Sequence, residues 1–212
     1  MGTVTRALVA ALAVLTVATL TVAGAIVPAA AQATPLLDAS DLPTGYRLGE
    51  GSPLQRTTVA ASVPTIGNCV WGTPSRVAGA PPVIWSSGFV RDGGATANET
   101  VWQLDTPKAA KALYAKLAKT YRAATKCTPL REPDPAPGGA GPVDAGRFTR
   151  LPLGPVGDAA FGVTFVPAAG APTSRVAVFR AGDAVGTLTV TDPDVDPTEF
   201  AALARTAADR ST

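Results

Sequence analysis

No histidine occurs anywhere in this chain. That absence excludes the Ser-His-Asp and Cys-His arrangements of nucleophilic catalysis and the imidazole ligands of the usual zinc sites. Cysteine is nearly absent as well: Cys69 and Cys127 are the only two. They stand 58 positions apart, far from the Cys-x-x-Cys spacing of a redox pair, and no imidazole is present to lower a thiol pKa. Net charge is almost absent, at +2 on 212 residues. No global field therefore draws the chain towards nucleic acid or anionic lipid, and nucleic acid is not an expected partner. Lysine is scarce, and every copy falls in one short segment.

What the chain does have is a leader. Arg6 precedes an apolar run from Ala7 to Val27, followed by Pro28 and the small-residue tail Ala29-Ala30-Ala31-Gln32-Ala33. That is the layout of a secretory signal peptide over residues 1–33, with cleavage expected after Ala33. The run is also nearly long enough to span a bilayer, so an uncleaved N-terminal membrane anchor is the alternative. No Cys near the cleavage site offers a lipid anchor, and a single Arg does not make a twin-arginine signal. Residues 34–212 are then one secreted or extracytoplasmic domain, of a length that supports a single core. Outside the cytoplasm, ATP and nicotinamide cofactors are not expected, and no cofactor is implied. There the simplest fate of Cys69 and Cys127 is one disulfide.

Periodicity then sets the elements. Leu36 to Leu42 reads as a short helical turn stopped by Pro43. Residues 50–82 carry five prolines and predict loops with short strands or one helical turn near Cys69. Val83 to Arg91 alternates with period two, with Val83, Trp85, Ser87 and Phe89 on one face. After the turn Asp92-Gly93-Gly94, a second strand puts Thr100 and Trp102 on one face and Glu99, Val101 and Gln103 on the other. Trp85 and Trp102 are both expected on the inner face of this hairpin. Thr106 as N-cap and Pro107 at the first position open a helix with an apolar stripe of Ala110, Leu113, Leu117, Tyr121 and Ala124. Cys127 closes it. Residues 133–142 are Pro- and Gly-rich and read as a loop. Strands follow over Val143 to Leu151, Ala159 to Val166, Arg175 to Ala181 and Val185 to Thr191, the last two joined by Gly182-Asp183. Asp196, Pro197 and Glu199 open a final helix with Phe200, Leu203, Ala204 and Ala207 inward. The sum is an α+β fold: a mainly antiparallel β-sheet flanked by two principal helices, with one disulfide.

Few residues carry chemistry. A carboxylate pair is the one hydrolytic arrangement left, yet Asp92, Asp158, Asp183 and Asp192 lie in turns and caps. Asp192, Asp194 and Asp196 match the first positions of a calcium loop, but Pro197 replaces the required Gly and Leu203 the required Glu, so helix capping is the reading and no metal is expected. Trp71, in its loop-like surroundings, is weighed as a ligand-lining residue against a place in the core. The clearest pattern is cationic. Lys108, Lys111, Lys116, Lys119, Arg122 and Lys126 share one face of the middle helix, and no acid occurs between Thr106 and Arg131. Such a ridge is first the solvated face that any amphipathic helix needs. Like charges at this spacing weaken a helix, which keeps an anion-binding face for an envelope polymer, a head group or an acidic partner open as the alternative.

With those elements placed, the chain resembles the PknH-like extracellular sensor domains of actinobacteria. The resemblance is carried by the opening Leu36-Leu37-Asp38-Ala39-Ser40-Asp41-Leu42-Pro43-Thr44-Gly45-Tyr46, by the Trp-bearing strand and Ala-rich helix from Trp102 to Cys127, and by the closing hairpin from Val176 to Val185 with its terminal helix. It implies an antiparallel sheet with flanking helices and a ligand cleft. It differs from relatives of this kind in having one possible disulfide, no kinase domain and no lipobox. The expected function is non-enzymatic binding of an unknown small molecule or cell-envelope component. The alternative is an envelope interaction protein docking an anionic polymer or partner through residues 106–127.

Overall fold

A computed structural model describes residues 35–50, 52–56, 61–77, 82–133, 141–168 and 170–212. The leader and its cleavage site, and most of the loop expected at 133–142, lie outside the described residues. No helix among the described residues is long and apolar enough to cross a membrane.

The described chain forms one sheet of eleven strands. They are β1 (Arg47–Leu48), β2 (Leu54–Arg56), β3 (Ser62–Gly67), β4 (Val70–Arg76), β5 (Val83–Val90), β6 (Thr96–Gln103), β7 (Leu130–Glu132), β8 (Val143–Leu151), β9 (Ala159–Pro167), β10 (Ser174–Ala181) and β11 (Ala184–Thr191). Helix α1 (Pro107–Ala124) follows β6, and α2 (Pro197–Arg210) follows β11. The spatial order is β1-β5-β6-β11-β10-β9-β8-β7-β4-β3, with β2 beside β5. Neighbours pair antiparallel except β4 and β7, which meet in parallel at Val70 and Arg131. The fold class read from the sequence is thus the one observed.

The two helices lie on opposite faces. On one, Phe200, Leu203, Ala204 and Ala207 of α2 pack on Ala177, Phe179, Leu188 and Val190. The opening segment joins this layer through Leu37, Leu42 and Tyr46. Phe179 faces Gly186 across β10 and β11, and its ring occupies the space a Cβ at Gly186 would need. On the other face, α1 packs on β3, β8, β10 and β11. Its buried residues are Ala110, Leu113, Leu117, Ala118, Tyr121 and Ala124, the expected stripe with Ala118 added.

Two local expectations need correction. Ile84 pairs with Trp102 and Trp85 with Val101, so Trp85 and Trp102 occupy opposite faces of the hairpin. Both faces of this sheet are covered, so alternation alone does not identify an inner side. Within 50–82, against the expectation of loops with short strands or one helical turn near Cys69, residues 62–76 form a complete hairpin and the chain at Cys69 is its turn, not a helical one. Its turn is Asn68-Cys69, both at positive φ, and Pro64 sits at the register shift between Val63 and Thr65 where no ladder N–H is required.

Candidate functional site

Helix α1 presents the cationic face, and its placement is fixed at several points. Thr106 caps it by accepting from the Ala109 N–H at 3.2 Å. The Thr120 hydroxyl donates to the Pro64 carbonyl of β3 at 3.0 Å. Past its last turn, Cys127 is bonded to Cys69 in the β3–β4 turn, and the Arg131 N–H donates to the Cys69 carbonyl at 2.8 Å. Tyr121, Trp71 and Phe148 meet edge to face with centroids 5.8 to 6.5 Å apart. That contact places Trp71, half-buried, in an aromatic cluster with Tyr121 of α1 and Phe148 of β8.

Lys108, Lys111, Lys116, Lys119, Arg122 and Lys126 are all exposed. Among the described residues none forms an ion pair with a carboxylate. Arg122 differs from the lysines: its guanidinium turns back over the ring of Phe161, 5.0 Å from the centroid.

The acids weighed for catalysis or calcium are engaged elsewhere. Asp92 pairs with Arg47 at 2.8 Å and Asp158 with Arg180 at 2.8 Å, while Asp183 accepts from Gln103 at 2.6 Å. Asp192 is fully buried and accepts from the Tyr46 hydroxyl and from Arg91, each at 2.8 Å. Arg91 also reaches Asp194 at 2.7 Å. Burial and the Asp192 hydrogen bond push the Tyr46 phenol well above its usual range. This network ties the opening segment to the loop before α2. Asp196 caps α2, accepting from the Thr198 and Glu199 N–H groups at 2.7 and 2.8 Å.

One acid was not visible as special in the sequence. Glu99 is 1% exposed on β6, on the α2 face. Its Oε2 accepts from the Leu37 N–H at 2.7 Å, while its Oε1 and the hydroxyl of Ser87 opposite it have no partner among the described residues. Burial pushes this carboxyl up to about 8, against the pull of the Leu37 hydrogen bond and of Arg210.

Cavities are modest. An open depression of about 310 Å³ is lined by Thr128, Pro129, Asp144, Arg147, Val166 and Pro167 among others. Another of about 260 Å³ lies beside Leu42, Pro43, Glu199 and Thr206. Neither is walled by tryptophan.

No protein-family profile matches the sequence, and no curated protein is similar to it. Among solved structures, the crystal structure of the extracellular domain of PknH from Mycobacterium tuberculosis is similar, with a TM-score of 0.56 and 12% sequence identity over 84% of this chain and 92% of that one. The two share a fold, as the resemblance in the opening, middle and closing segments implies.

Proposed function

We propose that this chain, built on the fold of the PknH extracellular domain, is an exported, non-enzymatic ligand-binding domain of sensor type, acting at the cell envelope as a single unit over residues 34–212. The observation that carries this reading is the extent of that shared fold, 92% of a domain that is itself extracellular. Three further features support it. The leader directs export. The chain has no histidine for nucleophilic catalysis. The acids Asp92, Asp158, Asp183 and Asp192 are committed to structural partners.

The test is a binding screen of the exported protein against cell-wall fragments, lipids and small metabolites, run beside a panel of hydrolase substrates. Saturable binding without turnover is expected. Turnover of any hydrolase substrate, abolished by substitution of one acid, overturns the reading.

A second reading rests on one observation, the exposed cationic side chains of α1 (Lys108, Lys111, Lys116, Lys119 and Arg122) and of Lys126 just past its end, none with a carboxylate partner among the described residues. On it, the helix docks an anionic envelope polymer or acidic partner. Retention on isolated cell wall is then steeply salt-dependent and lost when Lys111, Lys116 and Lys119 are changed to Gln. Retention indifferent to salt counts against it.

A further inference from the structure

Three arginines converge where the flank of α1 meets the sheet. Arg150 faces Val163 across β8 and β9, and Arg180 faces Ala159 across β10 and β9. Both therefore share a face with Phe161, which lies two residues from each of those partners on β9. The buried Phe161 ring carries Arg150 at 3.9 Å and Arg122 at 5.0 Å from its centroid. On α1, Tyr114 and Arg122 lie on one row, eight residues apart and separated by Ala118.

Charge in this cluster is unbalanced. Asp158 answers Arg180. Arg122 and Arg150 have no carboxylate partner among the described residues, although both lie against the same ring. Two like charges gathered at one ring favour an anion beside them. Contact with the Phe161 ring holds both guanidiniums in place and reduces the freedom lost when they grip a ligand. Tyr114, half-buried, makes no side-chain hydrogen bond among the described residues. Burial raises its pKa while Arg122, Arg150 and Arg180 lower it, with a net rise.

We propose that this surface cluster of Arg122 and Arg150 on Phe161, with Arg180 on the same sheet face and Tyr114 on the flanking helix, is an oxyanion site that takes a phosphate group of the domain's ligand. The guanidinium forks of Arg122 and Arg150 supply paired donors, Tyr114 supplies a hydroxyl donor, and Arg180 adds field while paired to Asp158. This site rests on the binding reading above and names the ligand class. It differs from the lysine ridge in chemistry: its donors are planar forks set against an aromatic ring, whereas the lysines are point charges.

The experiment titrates the exported protein with inorganic phosphate and, separately, acetate at constant ionic strength, followed by calorimetry or amide chemical shifts. Phosphate is expected to saturate at or below roughly 10 mM and to bind more tightly than acetate. Arg150→Gln and Arg122→Gln each weaken it at least about tenfold, the value of one charge-assisted hydrogen bond. Arg150→Lys keeps the charge but not the fork and weakens it severalfold, with an unchanged melting temperature as the control for folding. Changing Lys116, Lys119 and Lys126 together to Gln leaves affinity within about twofold. No saturation by phosphate, acetate binding as tightly, or phosphate binding that survives both arginine changes overturns the site. A ligand found in the broader screen whose affinity ignores Arg150→Gln also removes the site while leaving the binding reading in place. Turnover of a hydrolase substrate removes that reading whatever phosphate does.

Discussion

Raising the pH should destabilise this protein across neutrality, and Glu99→Gln should remove the effect. Glu99 is 1% exposed, with one oxygen on the Leu37 N–H and the other without a partner among the described residues. Its carboxyl titrates at about 8 in the fold against 4.5 in the free chain. Between those two values the native state holds a proton that the unfolded chain has already lost. The stability that Glu99 contributes is therefore full below about pH 4.5, falls as pH rises, and levels off above about 8. At 1.36 kcal/mol per pH unit, the complete loss is about 5 kcal/mol. Few other groups obscure this window: the chain has no histidine, and its two cysteines are bonded to each other. Urea unfolding at constant ionic strength from about pH 5 to pH 9 measures the slope directly. In Glu99→Gln the amide oxygen still accepts from Leu37 and the amide nitrogen faces Ser87, so the fold is retained and the slope disappears. The variant becomes the more stable protein at the alkaline end. A wild-type stability that is flat or rises over this range, or a variant with the same slope, refutes the reasoning.

Three other substitutions probe the frame that holds the site. Gly186→Ala drives a methyl into the Phe179 ring and should cost about 3 kcal/mol or more, seen as a large drop in melting temperature. Cys127→Ser opens a loop of 58 residues and should cost about 4 kcal/mol on the chain-entropy scale, measured by denaturant unfolding against the oxidised parent. Asp196→Ala strips the α2 cap of its two hydrogen bonds and should cost about 1 kcal/mol, measured in the same way.

The C-terminal half of the fold was legible because each strand there reports on itself. Phe161, Val163 and Phe165 alternate cleanly, Gly182 supplies the positive φ its turn requires, and Asp196 with Pro197 marks a helix start. Helix α1 was equally plain, since an apolar stripe and a cap fix both its face and its beginning. The β3–β4 hairpin was hidden because Pro64 and Pro74 argue against strands, and only the pairing shows that Pro64 sits where the ladder slips. Strand β7 is too short to carry a period at all. The Trp85–Trp102 error has the same source as the missed Glu99. Alternation separates two faces but does not say that α2 and the opening segment bury one while α1 buries the other.

The functional residues divide along the same line. Sequence spacing grouped Lys108, Lys111, Lys116, Lys119 and Arg122 because one helix carries them, whereas Lys126, expected on the same helix, lies in the turn just past its end. It did not find Arg150, Arg180 or Tyr114 as their neighbours, since those meet Arg122 only through sheet register and the docking of α1. A lone arginine on a strand carries no signal of what lies across from it.

Export and crosslinking are measured together by N-terminal sequencing and intact mass of the protein recovered from cells. The predicted result is a chain outside the cytoplasm that begins at Thr34 and has the mass of an oxidised Cys69–Cys127 pair. A cytoplasmic chain with its leader intact and two free thiols would contradict it.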